Sequence, residues 1–186
     1  MNLLAVVIVG ASIASGFSGK PSGEWLAEWL NVPYRNEARI AQGLTEFVAT
    51  VKAGPGDLVV NLDGSYWDSY KRNCAAPVKA VHAFYAQTKG ARLVMATVPE
   101  RDAGWFYRAV AGAESSTQNC RAPINVAIKE GCTGDCLLLD ADELYTGREN
   151  EDIHLTPEDW KKVAEHIYKG FLAQTKIDSA LMQRNV

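Results

Sequence analysis

The chain has 186 residues, of which 47% are hydrophobic and 22% charged, and its formal net charge is -3. That length favours one domain over residues 1–186 with a sizeable buried core. The acidic balance gives no surplus of cations to neutralise phosphates, so no nucleic-acid partner is expected. No apolar run reaches the roughly 18 residues that a membrane-spanning helix needs.

Leu3 to Val9 is a continuous apolar run, the pattern of a strand covered on both faces. It lacks a basic leader and a small-residue cleavage site, so it reads as a strand and not as a signal peptide. Ser22 to Leu30 follows as a helix, with Trp25, Leu26, Trp29 and Leu30 at helical spacing. A second helix is predicted over Ala41 to Lys52, with Leu44, Phe47, Val48 and Val51 on one face, ended by Gly54-Pro55-Gly56. Asp57 to Leu62 is the next strand and Pro77 to Thr88 the next helix. Ala91 to Val98 is a strand, followed by a long polar stretch from Pro99 to about Gln118. Ile124 to Lys129 is a short helix and Cys136 to Asp140 the last strand. Pro157 to Phe171 is a helix facing inward through Trp160, Val163, Ala164, Ile167 and Tyr168. Thr156 is its natural N-cap, and Glu158-Asp159 suit the positive end of the helix dipole. The tail after Ile177 is expected to be loosely attached.

Strands and helices in alternation predict an α/β fold, with helices on both faces of a central parallel sheet of about five strands. Sites in such sheets lie at the carboxyl ends of the strands. The loops after Val9, Leu62, Val98 and Asp140 are therefore the ones to inspect.

The cysteines Cys74, Cys120, Cys132 and Cys136 are even in number, and Cys132 and Cys136 match neither a redox nor a zinc spacing. Two disulfides, Cys132 to Cys136 and Cys74 to Cys120, would suit a periplasmic or secreted protein. Four reduced thiols would suit a cytoplasmic one. The even count leans toward export.

Gly10-Ala11-Ser12-Ile13 follows the first strand directly. A serine on a tight turn at a helix start is well placed as a nucleophile, with a backbone N–H beside it for a developing oxyanion. A plain helix cap is the alternative for an isolated serine. A dinucleotide loop is not supported, because only one of the three glycines of that fingerprint is present. Far downstream, Glu151-Asp152-Ile153-His154 sets two carboxylates and a loop histidine before the last helix. A serine needs a base to take its proton, and the base needs a carboxylate to orient it. His82 and His166 fall inside helical patterns and read as ordinary surface residues.

With both ends in view, the chain resembles the SGNH (GDSL-type) hydrolases. Gly10-Ala11-Ser12-Ile13 is similar to their opening Gly-Asp-Ser block, and Glu151 to Pro157 to their closing Asp-x-x-His block. Asn36 to Gly43 resembles the second block, and Asp57 to Leu62 the strand before the third. The resemblance implies a three-layer α/β/α sandwich (SGNH/flavodoxin-like), no metal or other cofactor, and hydrolysis of acyl esters through an acyl-enzyme. Ser12 would be the nucleophile and His154 the base. Glu151 stands in the register of the acid, with Asp152 beside it as the alternative. Gly43 or Ala41 would give a backbone oxyanion donor.

The chain departs from the pattern in two further places. Ala11 replaces the usual aspartate. The third block reads Asp63-Gly64-Ser65-Tyr66-Trp67-Asp68, without its asparagine, so that side-chain donor is either missing or replaced by Ser65 or Tyr66. Tyr66, Trp67, Tyr70, Trp105 and Phe106 either form an aromatic rim around the site or pack the loops onto the body. The expected partner is a small-molecule or glycan ester, and the expected state a monomer or weak oligomer. A weakly catalytic carbohydrate-binding module on the same fold is the competing reading. A phosphate or nucleotide binder is a third, and it lacks a glycine- or threonine-rich phosphate loop.

Overall fold

A computed structural model of the chain describes residues 3–11, 19–100, 114–115, 117–144 and 156–184, with side chains described as far as 173. Its centre is a parallel sheet of five strands: β1 (Ala5–Val9), β2 (Tyr34–Asn36), β3 (Asp57–Asn61), β4 (Arg92–Ala96) and β5 (Cys136–Leu139). The spatial order is β2-β1-β3-β4-β5. β1 and β3 are buried along their whole length, as strands in the middle of a doubly covered sheet are, and β3 buries Asp57 and Asn61 at its two ends along with its apolar centre.

The chain leaves β1 to one side to form β2, then returns across β1 to form β3 on the other side. The direction of winding therefore reverses between β1 and β3, and open α/β sheets bind ligands at that reversal, beyond the carboxyl ends of the strands. The register sets Val9 beside Asn61, so β1 and β3 end side by side.

Helix α1 (Ser22–Leu30) joins β1 to β2 and packs with α6 (Pro157–Arg184). The other helical layer contains α2 (Leu44–Phe47), α3 (Ala75–Gln87) and α4 (Arg121–Gly131), with α3 packed on both of the others. A short helix α5 (Ala141–Leu144) follows β5. The three-layer α/β/α arrangement expected from the sequence is the one observed.

Several boundaries differ from the expected ones, each for a physical reason. The helix expected over Ala41 to Lys52 is reduced to α2 and a 3-10 turn, Val48–Thr50. Its first residues are drawn into a turn in which Ala41 has φ 58°, because neighbouring backbone groups are bound to the ends of β1 and β3. The expected inward residues are nonetheless right: Leu44, Phe47 and Val51 are buried and Val48 is half-buried. β2 carries no apolar alternation because it is a three-residue edge strand, held from outside by Arg35 Nη2 on Asp57 Oδ2 at 2.9 Å. The helix expected at Ile124 to Lys129 begins earlier, at Arg121, and ends later, at Gly131. The helix expected to end at Phe171 runs on to Arg184.

At the start of α6, Thr156 caps as expected. The Asp159 N–H donates to Thr156 Oγ1 at 3.3 Å, and the Thr156 hydroxyl donates to Asp159 Oδ2 at 2.6 Å, a reciprocal capping box. Both disulfides are formed, Cys74–Cys120 and Cys132–Cys136. No described helix is long and apolar enough to cross a membrane.

Candidate functional site

The loops that follow β1, β2 and β3 converge at the reversal point and are tied together there by hydrogen bonds. Gly10 ends β1 with φ 146°, a conformation that side chains oppose and glycine allows. The Arg39 N–H, from the loop after β2, donates to the Gly10 carbonyl at 2.7 Å. The Ala11 N–H donates to Asp63 Oδ1 at 2.6 Å, from the loop after β3. The Leu44 N–H, at the start of α2, donates to the Gly64 carbonyl at 2.6 Å. These links bring Gly10-Ala11, the Ala41 to Gly43 turn and the Asp63 to Asp68 loop to one place.

The loop after β3 is the polar part of the core. Residues 61–70 are all buried, although Asn61, Asp63, Ser65, Asp68 and Ser69 are among them. Most of this polarity is satisfied internally, as burial requires. Asn61 Oδ1 accepts the Gly64 N–H at 2.9 Å and closes the turn, and a Cβ on Gly64 would lie 2.6 Å from that oxygen. Asp68 caps α2 from a distance: Oδ2 accepts the Thr45 N–H at 3.0 Å and Oδ1 accepts the Thr45 hydroxyl at 2.5 Å. Burial pushes the Asp68 carboxyl above its ordinary range, against the lowering effect of the two Thr45 hydrogen bonds. Gly43 lies against the same carboxylate, and a Cβ there would sit 2.3 Å from Asp68 Oδ1.

Two donors in this loop stand apart. Ser65 Oγ and Trp67 Nε1 are buried without a hydrogen-bond partner. Tyr66, by contrast, sets its hydroxyl 3.3 Å from the Tyr70 hydroxyl. Backbone donors are also uncommitted: among the described residues, no hydrogen bond uses the N–H of Ala41 or of Gly43.

Of the two readings of the aromatic set, a rim around the site or packing onto the body, Tyr66, Trp67 and Tyr70 follow the second. All three are buried and pack on one another, with ring centroids 5.2 Å apart for Tyr66–Trp67 and 5.8 Å for Tyr66–Tyr70. Their apolar area goes into the core beneath the loop. Trp105 and Phe106 lie outside the described residues, as do Ser12, Glu151, Asp152 and His154. The described neighbours of these segments do meet. Gly19, after the Ser12 loop, is close enough to Pro157, after the His154 segment, that a Cβ on Gly19 would lie 3.0 Å from the proline ring.

Sequence reasoning missed Asp63, Asp68 and Asn61. The signal was present as Asx residues at and just beyond the end of β3, where side chains take over hydrogen bonding from the ending ladder. A second polar cleft, at the ends of β4 and β5, is lined by Thr97, Arg121, Asn125, Lys129, Asp140 and Asp142. Its charges compensate one another, with Arg121 paired to Asp142 at 2.5 Å, so it offers no comparable unsatisfied donors. Among the described residues no group of His, Cys, Asp or Glu could hold a metal ion.

The fold is shared with solved structures described as SGNH hydrolase and G-D-S-L family proteins. Among solved structures, the chain is similar to a carbohydrate acetylesterase from Sinorhizobium meliloti, at 12% identity and TM-score 0.60, over 95% of this chain and 99% of that one. It is also similar to a Clostridium thermocellum family 3 carbohydrate esterase, at 14% identity and TM-score 0.56, over 90% and 94%. A third is a protein from Slackia heliotrinireducens assigned to the SGNH hydrolases, at 20% identity and TM-score 0.56, over 90% and 98%. No known family profile matches the chain, and no curated protein matches it by sequence.

Proposed function

We propose that the chain is a serine hydrolase that cleaves acyl esters, of short-chain or acetyl type and carried on a carbohydrate, through an acyl-enzyme. The observation that carries this reading is the lacing of three strand-end loops around the Gly10-Ala11 peptide, immediately before Ser12. Carbohydrate esterases among proteins of the same fold support the substrate class.

In this reading Ser12 Oγ attacks the ester carbonyl carbon while His154 takes its proton. Glu151, or Asp152 beside it, orients the imidazole and stabilises its charged form. The oxyanion of the tetrahedral intermediate is held by the Ser12 N–H and by a backbone N–H of the Ala41 to Gly43 turn. The buried, unpaired hydroxyl of Ser65 supports it as the side-chain donor in place of the missing asparagine. Tyr66 is less suited, since its hydroxyl lies beside that of Tyr70. Collapse of the intermediate breaks the C–O bond, and His154 returns the proton to the leaving alcohol. Water, activated by the same histidine, then attacks the acyl-enzyme and releases the acid. The two disulfides support export to an oxidising compartment.

The competing reading as a carbohydrate-binding module, favoured by the missing asparagine and the altered acid, loses Tyr66, Trp67 and Tyr70 as sugar-stacking residues, because all three are buried. The test is hydrolysis of short-chain p-nitrophenyl esters by the wild type and by Ser12→Ala. We expect Ser12→Ala to lower kcat by at least about a thousandfold, as loss of a triad nucleophile does, and to abolish labelling by an organophosphonate. Wild-type turnover in Ser12→Ala, or no turnover in the wild type, would sink the proposal.

A further inference from the structure

We propose that Asp63 is a positioning residue that fixes the peptide from which Ser12 is presented. The inference rests on the Ser12 reading above and extends it to a carboxylate outside the triad. The Gly10-Ala11 peptide unit is gripped at both ends. Its carbonyl accepts the Arg39 N–H at 2.7 Å, and its N–H donates to Asp63 Oδ1 at 2.6 Å. The two partners come from the loops after β2 and β3, on opposite sides of β1.

The grip occurs where the sheet can no longer supply it. The pairing of β1 with β3 ends at Val9 and Asn61, so the next amide of β1 has no main-chain carbonyl of β3 opposite it. Gly10, at φ 146°, turns the chain at that point. A turn at glycine has wide conformational freedom, and a nucleophile two residues beyond it would share that freedom. Asp63 removes it. Asp63 is only 5% exposed, so the hydrogen bond is shielded from water. Ala11 has no polar side chain with which to hold the turn from within. A carboxylate reaching 52 residues along the sequence holds it from outside.

Positioning differs from simple stabilisation in what it changes. A nucleophile displaced by about 1 Å loses roughly a hundredfold in rate, whereas binding of the ester is little affected. The test uses the full chain with Asp63→Asn and Asp63→Ala, and three readouts: the exchange rate of the Ala11 amide, the kcat and KM of ester hydrolysis, and phosphonate labelling of Ser12. Asp63→Asn keeps a neutral acceptor, so Ala11 exchange should rise and kcat fall by at most about tenfold. Asp63→Ala removes the acceptor. Ala11 exchange should then rise by about a hundredfold, with Val7 exchange unchanged. In the same variant kcat and the labelling rate should fall by about a hundredfold, with KM within about threefold.

Unchanged Ala11 exchange in folded Asp63→Ala would overturn the grip. Accelerated exchange with unchanged kcat and labelling would overturn positioning while leaving the hydrolase reading intact. If Asp63→Ala does not fold, Asp63→Asn decides, and no change in either exchange or kcat overturns the proposal. Failure of the hydrolase reading is separately visible, as wild-type turnover that does not depend on Ser12.

Discussion

Asp68 is a carboxyl group taken out of water to cap a short helix. Its folded pKa is raised, chiefly by burial. The unfolded chain therefore releases this proton at a lower pH than the folded one. From about pH 3.9, the ordinary value, up to the raised folded value, each rise in pH favours the unfolded form, and above that window the penalty is constant. Asp68→Asn keeps an acceptor for Thr45 and removes the charge. Urea melts across this range should show the variant gaining stability relative to the wild type as pH rises through the window. A stability difference that shrinks as pH rises would contradict the assignment. Ser65 makes the complementary case, a buried hydroxyl without a hydrogen-bond partner, which the proposed function uses as an oxyanion donor. Ser65→Ala should lower kcat roughly a hundredfold with little change in KM, as removal of one oxyanion donor does. An active enzyme indifferent to the substitution would leave the backbone donors as sufficient.

Between elements, packing decides where glycine is required. Gly131 ends α4 against Tyr85 of α3, and a Cβ there would lie 2.2 Å from the tyrosine ring. The Tyr85 hydroxyl donates to the Ile128 carbonyl at 2.8 Å, so the ring cannot swing aside without losing that bond. Gly131→Ala should therefore destabilise the chain by about 1–3 kcal/mol, the range for overpacking, measurable as a lower urea midpoint at unchanged slope. A midpoint equal to that of the wild type would mean that α3 and α4 separate freely. At this scale the sequence was legible where an element has its own period. The inward face of α6 and the apolar run of β1 were read correctly, whereas on α1 only Leu26 of the four expected residues is buried, with Ala27 beside it and Trp25, Trp29 and Leu30 half-buried. It was illegible where contacts set the outcome. β2 is an edge strand without apolar alternation, and α2 is cut short by bonds to loops distant in sequence.

Across the whole molecule, the two disulfides close loops of very different length. Cys74–Cys120 joins residues 46 apart and ties the start of α3 to the start of α4, whereas Cys132–Cys136 joins residues 4 apart. By loop-closure entropy the first contributes about 4 kcal/mol and the second about 2 kcal/mol. The double variant Cys74→Ser/Cys120→Ser should lower the unfolding free energy more than Cys132→Ser/Cys136→Ser. Equal losses would show that native-state contacts, and not the unfolded chain, dominate. The sequence by itself determined the fold class, four of the five strands and the long helices, because these follow from local periodicity and length, and its even cysteine count suggested two disulfides. Only the tertiary structure decided that Asp63, Asp68 and Asn61 build the strand-end loop and that the aromatics after β3 belong to the core. Those outcomes depend on which groups remain unsatisfied when residues about fifty positions apart are brought together and shut off from water.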